Sequence, residues 1–138
     1  KACQDCGVEL VEQPLPASAD SALSDIARPI PICADESVHA LDGLENLVGR
    51  YDAINIKLDK TGGLTEALAL ARRARELSLS IMVGCMVSTS LSMLPARLLA
   101  PYANWIDLDG PLLLAKDRAG GLTYENGVID GRRSPLWG

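Results

Sequence analysis

Ile54-Asn55-Ile56-Lys57-Leu58-Asp59-Lys60-Thr61-Gly62-Gly63 is the stretch on which the fold of this chain turns. It reads as a buried strand that stops at a lysine and turns through two glycines into a helix. Side chains alternate along a strand with a period of two, so Asn55 and Lys57 share one face while Ile54 and Ile56 share the other. A lysine at the mouth of a buried strand is costly to desolvate unless the site uses its charge or its proton. Two carboxylates, Glu12 and Asp35, stand upstream at equivalent places near the ends of their own apolar runs.

Working outward, residues 8–14, 30–37, 51–58, 80–85 and 105–110 read as strands. Residues 17–27, 38–48, 64–77 and 90–99 read as the helices between them, with Ser37 a candidate cap for the second. Pro95 puts the integrity of the last helix in question. The strand-end residues Glu12, Asp35, Lys57, Cys85 and Asp107 follow one another in steps of 23, 22, 28 and 22 residues. Alternating units of this size predict a parallel sheet covered by helices. In such sheets the polar residues at the carboxyl ends of the strands gather on one rim, where ligands bind. Lys60-Thr61-Gly62-Gly63 has the wrong order for a phosphate loop, and no G-x-G-x-x-G follows any strand. A closed eight-fold barrel needs about 250 residues. The expected fold is therefore α/β: a partial TIM-type (β/α)8 barrel of about five C-terminal units over residues 1–111. The opening Lys1-Ala2-Cys3-Gln4-Asp5-Cys6-Gly7 resembles the end of a helix with a glycine stop, so the sequence is expected to begin in mid-domain. Residues 112–138 are expected to leave the barrel, residues 120–129 forming a hairpin with Asn126-Gly127 at its turn.

The 48% hydrophobic content is ample for a core, and the net charge of −5 comes from scattered charges with no basic stripe. Nucleic acid is thereby an unsuitable partner. Apolar runs such as residues 79–87 are too short to span a bilayer, so no membrane role is expected. Of four cysteines only Cys3 and Cys6 form a Cys-x-x-Cys, and no second pair completes a zinc site. Free thiols in a cytoplasmic protein are the plainer reading.

The acids and the lysine carry the chemistry. Glu12 and Asp35 end adjacent strands, and two carboxylates that close repel unless a cation sits between them. Oxygen ligands without clustered histidine favour Mg²⁺, then Mn²⁺, well before Zn²⁺. The alternative is an ordinary pair of exposed strand-end acids. Near Mg²⁺ the Lys57 ammonium should lose its proton more readily and serve as a base. The alternative there is a plain salt bridge to Asp35 or Asp59. Lys60, past the strand end, is expected to be solvated, while Asn55 hydrogen-bonds one layer deeper. Glu36 is expected to border the site beside Asp35. Asp107 and Asp109 point to the same side and suit an ammonium group or a second cation, or else form a solvated turn before Gly110-Pro111. His39, just inside a predicted helix, is left structural.

Val11-Glu12-Gln13-Pro14, Ala34-Asp35-Glu36-Ser37, Asn55–Gly63, Met82-Val83-Gly84-Cys85-Met86 and Asp107-Leu108-Asp109-Gly110-Pro111, taken together and in order, resemble the enolase superfamily, and more closely its dipeptide epimerases. The resemblance covers essentially the whole chain, as the C-terminal part of a longer enzyme. It implies that Glu12 and Asp35 are two of three Mg²⁺ carboxylates and that Lys57 is one of two acid/base lysines, the established pattern for this superfamily being a lysine or histidine base with magnesium. It implies Asp107 and Asp109 as the seat of a dipeptide's N-terminal ammonium, and residues 85–87, with Cys85 and Val87, as pocket wall. The implied reaction is epimerisation of an L-Ala-D/L-Glu type dipeptide by 1,1-proton transfer through an enediolate. An o-succinylbenzoate synthase or muconate cycloisomerase type of reaction is the alternative, and a non-catalytic binding module is a third reading. The first metal carboxylate, the opposing lysine and an α+β capping domain, to which the tail would return, are implied to lie outside these residues. The chain alone is therefore expected to be inactive and to need a complementing N-terminal half or a homo-oligomer.

Overall fold

The computed structural model describes residues 2–130 and 135–137, opening on a short helix, α1 (Ala2–Asp5); Lys1 and residues 131–134 and 138 lie outside these. Five short strands, β1 (Val11–Glu12), β2 (Ile32–Ala34), β3 (Ala53–Ile56), β4 (Ser80–Val83) and β5 (Trp105–Ile106), pair in chain order and all in parallel. They form a curled half-barrel, as the spacing predicts, each strand shorter than its apolar run.

Alternation sorts the side chains onto two faces. Ile32, Ala34, Ile54, Ile56, Ile81 and Val83 join the main core with the helices outside the sheet. Cys33, Ala53 and Met82 turn the other way, into the barrel interior, with Leu10 and Trp105 packed on them. Helix α3 (Leu64–Glu76) buries Ala67, Leu70, Ala71 and Ala74, a stripe three and four residues apart that marks an amphipathic helix. Burying Leu70 alone contributes about 1.5–3 kcal/mol.

Two expected helices are not there. Residues 17–27 contain only a 3-10 turn at Asp20–Asp25, and residues 38–48 only one at Leu44–Leu47. In the first, serine and aspartate are weak helix formers, and Asp20 is held inward by Ser37, Arg50 and Tyr51. In the second, Gly43 adopts a left-handed conformation (φ 81°) and interrupts any helix between Val38 and Leu44. Ser37 caps nothing, because its hydroxyl donates to Asp20 at 2.7 Å, and His39 is an exposed residue outside any helix.

The last helix is cut where Pro95 predicts trouble. Helix α4 runs Ser90–Ala96 and tightens into a 3-10 turn at Arg97–Tyr102. Proline has no N–H to return to the carbonyl four residues earlier. That carbonyl, Leu91 O, accepts instead from the Trp137 indole at 3.1 Å. At the other end Asp117 receives the Ser90 N–H at 3.0 Å and the Ser90 hydroxyl, and Ser90 Oγ accepts Leu122 N–H at 2.8 Å. The chain after β5 is therefore fastened to both ends of α4. The expected hairpin is present as β6 (Tyr124–Glu125) and β7 (Val128–Ile129). Its turn residues Asn126 (φ 50°) and Gly127 (φ 76°) are both left-handed, as a two-residue turn of this type requires. Among the described residues no helix is long and apolar enough to cross a membrane.

Candidate active site at the strand ends

Lys57 is still extended (φ −118°, ψ 126°), so it continues the alternation of β3 and faces inward, as Asn55 does two residues earlier. The same rule brings Glu12 and Asp35 inward at the ends of β1 and β2. The three side chains meet. Lys57 Nζ donates to Asp35 Oδ2 at 2.7 Å and lies 3.9 Å from Glu12 Oε1. Asn55 Nδ2 donates to Glu12 Oε1 at 2.6 Å, so the expected deeper hydrogen bond serves the carboxylate directly.

Lys60 departs from its expectation. A single helical turn, α2 (Leu58–Thr61), follows Lys57 and swings Lys60 back over the strand end, residues three apart sharing one helix face. Its side chain is 8% exposed, and Nζ donates both to Asp35 O at 2.7 Å and to Asp35 Oδ1. It is a buried partner of Asp35, not a solvated residue. Glu36 is exposed and reaches Lys57 through its charge alone.

The electrostatics follow from this crowding. Burial works to raise the Asp35 carboxyl, but hydrogen bonds from Lys57 and Lys60, with their charges, outweigh it and hold Asp35 below the ordinary carboxylate range. Burial works against the Lys57 ammonium too, yet the hydrogen bond and charge of Asp35, helped by Glu12, hold it above the ordinary lysine value. The sequence expectation has the opposite sign because it sets a dication beside Lys57; here the charges facing it are carboxylates. The salt bridge to Asp35 and the strand-end placement next to Glu12 are thus both realised. Cys33, just below on the inner face, is held protonated by burial and by the charges of Glu12 and Asp35.

The donor set suits a hard cation. Glu12 and Asp35 both present carboxylate oxygens toward the Lys57 ammonium, and among the described residues no imidazole or thiolate lies beside them, which fits Mg²⁺. Two carboxylates do not complete an octahedron, and among the described residues no group of three His, Cys, Asp or Glu side chains gathers. The remaining ligands would be water, substrate or groups outside these residues.

Asp107 and Asp109 come together as their spacing predicts. Burial first, then the charge and hydrogen bond of Asp109, push the Asp107 carboxyl up. They border an open cavity of about 550 Å³ that the hairpin lines with Tyr124, Asn126 and Ile129. Tyr124 donates its hydroxyl to Leu108 O at 2.8 Å, and burial pushes its own pKa up to about 12. Cys85 is half-buried against the outer core with its thiol pushed up, chiefly by burial, while Val87 is 61% exposed on the loop beyond. The inner position just past β4 belongs to Gly84, and it is empty of side chain for a reason. A Cβ there would lie 2.5 Å from Asn55 Oδ1. Gly84→Ala is expected to push Asn55 off Glu12 and to lower stability by about 1–3 kcal/mol, the usual consequence of overpacking; thermal unfolding of the variant measures it.

Sequence reasoning assigns no role to Gln13, which proves to be bonded to the backbone N–H of Asp35 at 2.8 Å. The only signal was its place between Glu12 and a proline.

A family model described as enolase C-terminal domain-like matches residues 1–135. The chain belongs to that family. Among relatives of this enolase-type domain, an L-Ala-D/L-Glu epimerase of Escherichia coli (strain K12) is 53% identical over 91% of the chain and 39% of its own length. An N-acetyl-D-glutamate racemase of Pseudoalteromonas sp is 52% identical over the whole chain and 44% of its own length. An enolase family member from Agrobacterium tumefaciens with homology to dipeptide epimerases, solved with sodium and L-Ala-L-Glu, superposes with a TM-score of 0.94 at 55% identity, over 99% of this chain and 42% of that one. The chain thus spans about two fifths of the length of these enolase-type relatives, two of which are named as an epimerase and a racemase.

Proposed function

We propose that the whole protein epimerises a dipeptide of the L-Ala-D/L-Glu type by taking the α-proton of its C-terminal residue from one face and returning a proton to the other, Lys57 serving one face and a group outside these residues the opposite one. The observation that carries this reading is the convergence of Lys57, Asp35 and Glu12 at three adjacent strand ends. Glu12 and Asp35 would hold Mg²⁺ together with groups beyond this chain, and the ion would supply the positive charge that acidifies the α-proton. The rest falls to the chain's own side chains. Lys57 Nζ moves the proton on one face: charged, as Asp35 keeps it, it donates, and as the amine it accepts. Asn55 fixes Glu12, and Lys60 fixes Asp35. Asp107 and Asp109 hold the substrate's ammonium, whose charge offsets the burial and the Asp109 charge that together raise Asp107. The loop after β4 that carries Cys85 and Val87 forms the pocket wall, and Glu36 stands at its border. The partners in this reading are the dipeptide and the remainder of the barrel with its capping domain, toward which residues 112–138 return. A cytoplasmic location belongs to the same reading, in keeping with four free thiols.

The racemase relative favours a second reading, racemisation of N-acetylglutamate. That substrate breaks the same Cα–H bond but has no ammonium for Asp107 and Asp109 to bind. Deuterium uptake from heavy water, followed by NMR, separates the two. The expected result is faster exchange into L-Ala-L-Glu than into N-acetyl-D-glutamate. Asp109→Asn should raise KM for the dipeptide by about tenfold or more, the usual effect of weakening a charge-assisted bond, and leave N-acetylglutamate unaffected. Faster exchange into N-acetylglutamate, indifferent to Asp109, makes the second reading correct.

A further inference from the structure

Gln13 is held in a conformation that nothing in its own sequence favours. Its backbone is left-handed (φ 37°), although it is not glycine, asparagine or aspartate. Such a conformation costs about 1–2 kcal/mol and persists where its surroundings impose it. Its N–H nevertheless pairs with Cys33 O at 2.8 Å, so the kink falls at the point where β1 leaves β2.

The side chain explains the kink. Gln13 Oε1 accepts from Asp35 N at 2.8 Å and Ser37 N at 3.3 Å. The two Gln13 Nε2 hydrogens face three acceptors, Ser37 Oγ at 2.9 Å, Tyr51 OH at 2.8 Å and Leu15 O at 2.7 Å. The amide can sit only one way round. Both hydroxyls give their protons to Asp20 Oδ2, Ser37 at 2.7 Å and Tyr51 at 3.1 Å, and so present lone pairs to the amide NH₂. Asp20 is 4% exposed and is compensated by Arg50 at 3.3 Å. A buried carboxylate thus orients two hydroxyls, the hydroxyls orient the Gln13 amide, and the amide grips the backbone of Asp35. Gln13 follows Glu12 directly, so one side chain ties together the two strand ends that carry the carboxylates.

We propose that Gln13 is a positioning residue that clamps the Glu12 strand end to the Asp35 strand end, and thereby sets which size of divalent cation the two carboxylates accept. This rests on the reading that Glu12 and Asp35 hold a hard cation. Mg²⁺ demands near-octahedral oxygen at about 2.0–2.1 Å, whereas Ca²⁺ accepts irregular shells at about 2.3–2.6 Å. Fixed strand ends favour the smaller ion. Strand ends free to drift favour the larger.

The test is calorimetric titration of the whole protein with MgCl₂ and with CaCl₂, each variant first checked for folding by circular dichroism. Gln13→Met keeps the length and removes the amide. It is expected to weaken Mg²⁺ binding by about 10–100-fold, the range for groups that orient metal ligands, and Ca²⁺ binding by much less, so the ratio of the two affinities falls. Tyr51→Phe leaves the Gln13 carbonyl on Asp35 N but removes one hydroxyl from the amide. It should lower the ratio in the same direction by roughly threefold, the loss of one ordinary hydrogen bond. If Gln13→Met does not fold, Tyr51→Phe decides alone. A ratio that stays at the wild-type value overturns the clamp, even if both affinities drop together. A wild-type protein that binds neither ion, or a Glu12→Gln variant that binds Mg²⁺ undiminished, overturns the cation site itself.

Discussion

Lys57→Ala, made in the whole protein, is expected to abolish deuterium uptake at the α-carbon of one substrate stereoisomer while leaving divalent-cation affinity intact or slightly raised. The first half follows from position. Lys57 Nζ is the ammonium at the strand end that lies against both carboxylates, 2.7 Å from Asp35 and 3.9 Å from Glu12. Loss of a positioned acid or base lowers such a rate by about 10²–10⁴-fold. The second half follows from charge. Removing an ammonium that competes for the carboxylates cannot weaken their hold on a cation. Lys60→Ala is the contrasting variant, because Lys60 spends its protons on the carbonyl and carboxylate of Asp35. It should retain exchange and change cation affinity instead. Isotope uptake followed by NMR, beside calorimetric titration, reads both. If the two variants traded places, Lys60 would be the proton carrier and Lys57 its support.

The two lysines also show how far the sequence could be read. Lys57 was legible because a strand has a period of two and Ile54, Asn55 and Ile56 before it alternate apolar and polar. The same rule carried Glu12, Asp35 and the Asp107–Asp109 pair to the inner rim, and the regular spacing of the units gave the parallel order of the sheet. Lys60 was not legible, because its position depends on a four-residue helical turn whose existence rests on Gly62 and Gly63 behind it. The layers after β1 and β2 failed for a related reason. An apolar spacing of three or four residues is shared by helices and by 3-10 turns pinned at a few buried leucines, such as Leu23, Leu44 and Leu47. Gln13 lay furthest out of reach. Apart from Leu15, the partners of its side chain are 22 to 38 residues away, and a lone amide announces none of them.

Asp35→Asn is expected to remove cation binding and also to destabilise the fold in a pH-dependent way. The substitution keeps the shape of the side chain but leaves Lys57 and Lys60, whose side chains are 13% and 8% exposed, facing each other without their shared counter-charge. Breaking a buried pair from one side costs about 3–5 kcal/mol, and thermal or urea unfolding would register that as a large fall. A second substitution, Lys60→Met, should recover part of the loss, because it removes one of the stranded charges and keeps the aliphatic stem. The pH dependence separates this from a general packing defect. Asp35 is held below its ordinary value in the folded chain, so its contribution is present above the unfolded carboxylate pKa of about 3.9 and is lost as the pH falls through the lower, folded one. Lys57 is held above its ordinary value, so its contribution is complete below the unfolded lysine pKa of about 10.4 and is lost as the pH rises through the higher, folded one. The difference in stability between wild type and Asp35→Asn should therefore be widest between these limits and narrow toward either. A difference constant from pH 3 to pH 8 would mean that the charge of Asp35 does not hold the site together. The strand ends would then owe their geometry to the backbone and the Gln13 clamp alone.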